Sequence, residues 1–533
     1  VARLPQHDPD SDARRAALGT ARDAYRYDRS YHGLLFVESL PRSERFGARY
    51  LSKGAAITAA LAANRAAVAA DDLRHGGEGP YPTLFATLPP PLVTRATDAD
   101  LALGWARIAG PNPALLRRLD PLPEHLPLTD DDLGGERGAL HAAVSAGRIY
   151  GVDYACFDGV QLGQVDGRPK YLLPTAAAFE ATPTGLRPLA IQPEGVRGDA
   201  DSLVRPHQGD RWRLASLALS VADENFQGVV AHMGWCHLVA QRFLLATHRC
   251  LAPQHPLYEL LVPHFEYTLA VNQVARTSVL DPGGTQDRVL APALDEQIRI
   301  LKAHVARVDL PSLDPTVDHA RRGVDDTEAL PVYPFRDDEL LHWRAHGPFV
   351  TEYVQRCYPT DADVVGDEEL QSFLPEIAAA DAGGLPGLVA GQQLHTRDDV
   401  VALLRRVLHR CTAFHGAIND GNYDWAAYAP CMPTAAFAPL TSDQPPTGAE
   451  LVERLPPRDI QLQTLSATYN VLQLKVNRLG HYPAFSDPGI TPLVEALQGR
   501  LQTVESTIAR RNRDRWLPYK LLLPSRMTLS ISA

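Results

Sequence analysis

The strongest constraint in this chain is a set of long helical segments, several of them with apolar residues around much of the helix instead of along one stripe. They span 212–251, 255–277, 337–358, 372–380, 396–419, 460–479 and 491–513. A helix that is hydrophobic all round offers no face to water and must sit inside a larger structure. Pro256, Pro359 and Pro488 stand where such helices are expected to end. With 533 residues, 45% of them hydrophobic, the chain can fill a large core. A further helix is expected over 55–71, where breakers are few. Prolines punctuate 88–133, beginning with Pro89-Pro90-Pro91, and predict loops. Strand-like pieces at 149–157, 169–173 and 186–192, with Asp166-Gly167 as a turn, predict a small sheet. The chain does not start with a series of short alternating strands, so an amino-terminal β-sandwich is not expected. There is no internal repeat and no low-complexity linker. The fold class is therefore mainly α, one large helical domain with a small β-sheet subregion.

Composition removes several functions. A net charge of -11, without a Lys/Arg cluster, argues against nucleic acid as a partner. Cys156, Cys236, Cys250, Cys357, Cys411 and Cys431 form no CxxC pair and are too few for a disulfide framework. No apolar run approaches the ~20 residues of a membrane span. No signal peptide is visible, so a soluble, cytoplasmic protein is expected, with an already removed leader as the alternative because the sequence starts at Val1.

The chemistry-bearing residues fall in three places. His232 and His237 stand five apart in an apolar stretch, so both rings are expected to be buried. On a regular α-helix five residues leave two side chains about 140° apart. A π-type turn brings them within roughly 50°, and such turns gather at functional sites. The pair is thus either two unrelated core histidines or two ligands on a widened helix. His415 and Asn419, four apart, share one helical face. Imidazole is a good ligand for iron, zinc or copper and a carboxamide oxygen a weak one; His-x-x-x-Asn alone is more often polar decoration. The third place is the terminus. The last seven residues, Met527 to Ala533, carry no charged side chain. Such a tail suggests insertion into the protein, where a metal cation would offset the burial of its carboxylate; a docked tail with its carboxylate outside is the alternative.

Together these residues resemble the lipoxygenase family. His232-Met233-Gly234-Trp235-Cys236-His237, then Phe243 to Arg249, His255 to Leu261, Pro263-His264-Phe265 and Asn272-Gln273-Val274-Ala275-Arg276 follow the order and spacing of its central signature. The stretch from His415 to Tyr423 resembles the second metal helix. Family-like sequence also appears at Gly110-Pro111-Asn112-Pro113, Trp212-Arg213-Leu214-Ala215, 331–336, 353–363, Glu369-Leu370-Gln371 and Arg510-Arg511-Asn512-Arg513. The resemblance covers roughly 101–533. It implies a lipoxygenase catalytic domain there, with residues 1–100 as an amino-terminal helical segment packed on it. It resembles bacterial members in lacking the amino-terminal β-barrel.

The resemblance further implies one iron per chain, held by His232, His237, His415, the weaker Asn419 and the main-chain carboxylate of Ala533. Family members usually end in isoleucine or valine, so Ala533 is a smaller terminal residue. Asn422 falls where the family often has a glutamine beside the ligands. The implied reaction is addition of O2 to a polyunsaturated fatty acid of the linoleic or arachidonic type. Hydrogen is abstracted from a bis-allylic methylene by a ferric hydroxide, with no side-chain base. Ala275 occupies the position where alanine goes with S products and glycine with R products, so a mainly S hydroperoxide is implied. Val279, Leu280, Val289 and Leu290 are the implied pocket neighbours. Met432 stands where many plant members have an arginine near the pocket base. A transient contact with a membrane surface is compatible with such a substrate.

Three rivals use the same residues. A zinc or iron hydrolase would need an HExxH or HxH…Asp pattern, which is absent. A non-catalytic lipid-binding protein on the same fold is disfavoured by the complete ligand set. A manganese enzyme would use the same N/O ligands.

Overall fold

The segments that are apolar all round form the interior. In the computed structural model, which describes residues 2–76, 78–442 and 444–533, one nearly continuous helix runs through the core as Asp210–Phe226, Gln227–Leu238 and Val239–Cys250. Over 218–248 only Gly228, His232 and Trp235 keep partial exposure, and each of the three faces a cavity. Arg397–His409, Arg410–Phe414 and His415–Trp425 form a second composite helix packed against the first. Around them lie Pro334–Cys357, Glu368–Ala378, Arg458–Gln473 and Thr491–Arg511, close to the predicted spans.

The span 255–277 departs from its prediction as one helix. Pro256–Leu261 starts with proline at its first position, the His255 side chain accepting from Leu257 N at 3.0 Å. Pro263 lacks an N–H and ends it in the short turn Val262–Phe265. Tyr267, at φ 64°, reverses the chain before Thr268–Ser278 begins. This break separates the segment that follows the core helix from the one that carries Ala275.

The small sheet is antiparallel, in the order Arg117–Arg118, Ile149–Asp153, Ala176–Thr182, Gly185–Gln192. The strand expected at 169–173 is only Arg168–Pro169, paired with Gln164–Val165. Ala176–Thr182 was not expected, because alanine has low strand propensity; its alanines are small enough to lie fully buried between neighbouring strands. Helix Ala99–Ala109 packs on Gly185–Gln192 at the closest distance a backbone allows. A Cβ at Gly104 would stand 1.9 Å from the Leu186 carbonyl oxygen. The six cysteines are free, as expected from their spacing.

Residues before 100 are woven into the same core. Leu34, Leu35, Phe36 and Val37 are almost wholly buried. Tyr31 donates to the Leu280 carbonyl, and Arg276 pairs with Asp28 at 2.5 Å. Helix Ala48–His75, longer at both ends than the predicted 55–71, packs on Arg458–Gln473. No helix among the described residues is long and apolar enough to cross a membrane.

Candidate metal centre and its cavity

The two composite helices meet at their irregular turns. The π widening offered as one reading of the i, i+5 spacing is present and extends over Gln227–Leu238, enclosing both histidines. It brings His237 Nε2 to 3.2 Å from His232 Nε2. A second π segment, Arg410–Phe414, was not legible in the sequence; it ends at His415 and turns that ring toward the other two. The ligand atoms of His232, His237 and His415 lie within 4.8 Å of one another.

These imidazoles are neutral. Burial pushes His237 down to about 4, and it holds His232 and His415 well below the ordinary histidine value. A neutral ring has one N–H and one lone pair. The neighbouring amide decides which nitrogen of His237 keeps its lone pair. His237 Nδ1 lies 2.7 Å from Asn272 Oδ1, which can only accept, so Nδ1 carries the proton and Nε2 faces the centre with a lone pair. Asn272 Nδ2 in turn donates to Gln241 Oε1 at 2.6 Å, and Gln241 Nε2 donates to the Leu35 carbonyl at 2.5 Å. This fixes the orientation of Asn272. The Asn272→Leu variant is expected to lose 10- to 100-fold in metal affinity or activity, the usual effect of removing such a partner. Metal titration of the purified variant checks it, and unchanged affinity would remove the orienting role.

His415 Nε2 and Asn419 Oδ1 are buried and have no hydrogen-bond partner among the described residues. The Asn419 amide is anchored through its nitrogen, which donates to the Val471 carbonyl at 3.2 Å and to Asp420 Oδ1 at 3.0 Å. Asp420 is itself neutralised by Lys475, whose ammonium also donates to the Arg526 carbonyl. Two orphaned acceptors beside two facing imidazole nitrogens are what a cation would satisfy. Asn422 donates to Gln227 Oε1 at 3.3 Å, and Gln227 donates to the Ile418 carbonyl at 3.1 Å, so the pair joins the two helices beside the centre.

The apolar tail is inserted as expected. Leu529, Ser530, Ile531 and Ser532 are buried. His264 Nδ1 donates to the Leu529 carbonyl at 2.9 Å, and Thr268 Oγ1 to the Ile531 carbonyl at 2.8 Å. Ala533 packs beside Tyr50, Leu474 and Val476, and its main chain lies against His237 and His415.

The centre opens into a cavity of about 470 Å³, lined mainly by apolar atoms. His232, His237, Ala533 and Asn422 form part of its wall, with Ala275, Val279, Val289 and Leu290. Leu280 lies outside this lining, buried in the core. Phe46 and Tyr50, their rings stacked at 4.0 Å, bring the amino-terminal helix to the same wall.

The family model for Lipoxygenase matches residues 179–521. A linoleate 9/13-lipoxygenase of Pseudomonas aeruginosa is 34% identical over 496 residues, covering 86% of this chain and 70% of that protein. The chain belongs to the lipoxygenase family. A mouse arachidonate 12-lipoxygenase of the 12R type is 30% identical, over 81% of this chain and 63% of its own length. A lipoxygenase variant solved in complex with arachidonate superimposes with a TM-score of 0.91 at 24% identity, over 100% of this chain and 83% of that one. Coral 8R-lipoxygenase superimposes with a TM-score of 0.90 at the same identity and coverage. These two show the lipoxygenase fold.

Four residues of this lipoxygenase site were given no individual role by sequence reasoning. Gln227, Gln241 and Asn272 sit in apolar helices, where an amide reads as incidental until its partner is seen. Glu224 is the fourth. Its carboxyl is buried at the cavity wall, with Oε2 lacking a partner, and burial next to Asp223 raises its pKa well above the usual value.

Proposed function

We propose that this lipoxygenase is an iron dioxygenase that converts polyunsaturated fatty acids of the linoleic or arachidonic type and O2 into mainly S hydroperoxides. The observation that carries this reading is the convergence of three imidazoles, with orphaned acceptors on His415 and Asn419, beside an apolar cavity whose wall includes His232 and His237. Iron held by His232, His237, His415, Asn419 and the Ala533 carboxylate would supply hydrogen abstraction from a bis-allylic methylene. The linoleate named for the Pseudomonas relative and the arachidonate of the solved complex favour the same substrate class.

The protein's own part is positioning and exclusion. Val289, Leu290, Val271 and Leu474 offer contact to an acyl chain and none to water. Asn272 and Gln241 orient His237; Gln227 and Asn422 hold the two ligand helices in register. The buried carboxyl of Glu224 adds a hydrogen-bonding group to this wall. We assign residues 1–100 as a helical segment docked on the catalytic body 101–533, since its core contacts and its helix at the cavity serve that body.

Ala275 is the stereochemical element of this reading. It is only 8% exposed and lies in the cavity wall, where its methyl group would hinder the approach of oxygen to one end of the pentadiene. Ala275→Gly is expected to raise the share of R product from the other end of the same pentadiene. About 1.4 kcal/mol between two approaches gives a tenfold ratio, so one methyl suffices. Chiral-phase chromatography of both proteins' products checks it, and an unchanged ratio would place control elsewhere. The function itself is tested by oxygen uptake with linoleate and arachidonate, with product analysis and metal content. Stoichiometric iron and conjugated-diene hydroperoxides are expected. Failure to consume oxygen with iron bound would refute the catalytic reading, and stoichiometric manganese would refute the choice of metal.

A further inference from the structure

A second cavity, about 380 Å³, shares no lining residue with the substrate cavity, yet it is built from the same two helices. Phe226 and Trp235 come from the first, Trp235 lying between His232 and His237; Arg410 and Phe414 come from the second, just before His415. Its wall carries five arginines and one carboxylate, that of Asp318. Asp318 is taken by Arg322 at 2.8 Å, and Arg321 is taken by Asp309 at 2.8 Å. Arg117 and Arg307 are exposed at the rim and make no ion pair among the described residues.

Arg410 is the unusual member. It is 5% exposed and has no ion pair among the described residues, and its Nε is buried without a hydrogen-bond partner. Its guanidinium stacks on the Phe414 ring, 3.8 Å from the centroid. A ring face is a weak substitute for a counter-ion, and a buried guanidinium left with nothing else is costly. Burial also pulls the Arg410 pKa down, by more than the nearby carboxylates of Asp318 and Glu339 offset. Aromatic rings complete the lining: Phe226 meets Trp235 edge-on at 5.4 Å and His304 at 5.3 Å. A planar fork of donors and aromatic rings in one cavity suit a carboxylate or phosphate group attached to an apolar body.

We propose that this cavity is a second ligand site, one that takes an organic anion, its carboxylate or phosphate pairing with Arg410 and Arg307 and its apolar body lying against Trp235 and Phe226. The occupant touches both ligand-bearing helices without entering the substrate cavity. This inference does not depend on which metal or fatty acid the enzyme uses.

Isothermal titration of the full-length holoprotein with 4-phenylbutyrate, phenyl phosphate and inorganic phosphate tests it. At least one organic probe should bind saturably, at least tenfold more tightly than inorganic phosphate. That affinity should fall at least tenfold in Arg410→Met and in Arg307→Glu, the latter a rim change that keeps the test valid if the buried change prevents folding. Which probe binds identifies the group as carboxylate or phosphate. Absence of saturable binding by both organic probes, affinity undiminished in the variants, or equal binding of inorganic phosphate would overturn the proposal.

Discussion

His415→Leu is expected to leave less than a tenth of the bound metal and to lower turnover by at least about a thousandfold, some 4 kcal/mol of lost transition-state stabilisation. The ring it removes has its Nε2 buried without a protein partner, and it completes the three-imidazole set. The remaining side-chain ligands would be two histidines and a weakly binding amide. Leucine conserves much of the volume and removes a desolvated polar atom, so the metal-free variant should be no less stable than the metal-free parent. That pairing of results separates a ligand from a structural histidine. Metal analysis, steady-state oxygen uptake and thermal melts of both metal-free proteins check it. A variant that kept its metal would show that His415 is not a ligand.

Extending the chain beyond Ala533 with a short polar tag is expected to have an effect of similar size. The tail is held by His264, Thr268 and Asn477 and lies buried as far as Ser532. An added residue would convert the carboxylate into a neutral amide and force polar chain into an apolar pocket beside Tyr50 and Leu474. We expect at least a tenfold loss of metal and a matching loss of turnover, while the same tag placed at the other end changes neither. Full metal content and activity in the extended protein would exclude the terminal carboxylate as a necessary ligand.

The parts of the fold legible in the sequence were those set by pattern. Helices that are apolar all round announced a helical core, and the uncharged terminal stretch announced an inserted tail. The spacing of His232 and His237 demanded either a widened helix or two unrelated residues, and the widened helix is what formed. What stayed hidden depends on contacts between distant segments. Nothing local to Arg410–Phe414 signals a π turn; it arises where that helix packs on the first one. The strand Ala176–Thr182 is made by its neighbours, against its own propensity. The orienting chain from His237 through Asn272 and Gln241 to Leu35 joins residues up to 206 positions apart.

Several family-like motifs also acquire structural reasons. Asn112 donates to Asp223 Oδ1 at 3.1 Å, and Arg107 pairs with the other oxygen of Asp223 at 2.8 Å; this ties the metal helix to Ala99–Ala109. His255 and Tyr358 converge on Asp367 at 2.8 and 2.7 Å, pinning the turn after the core helix. Arg511 and Arg515 share Asp338, and Asn512 donates to the Tyr519 carbonyl at 2.9 Å, which guides the chain toward its buried end. These residues hold the scaffold, and their conspicuous spacing alone could not separate them from ligands.

The central claim is that His232, His237, His415, Asn419 and the Ala533 carboxylate share one iron at the cavity wall. Anomalous diffraction measured on both sides of the iron absorption edge tests it most directly. One edge-dependent peak should appear about 2 Å from the Nε2 atoms of the three histidines, with an Asn419 oxygen and a terminal oxygen facing it. A peak at another place, or a fully occupied site without iron-edge signal, would contradict the account.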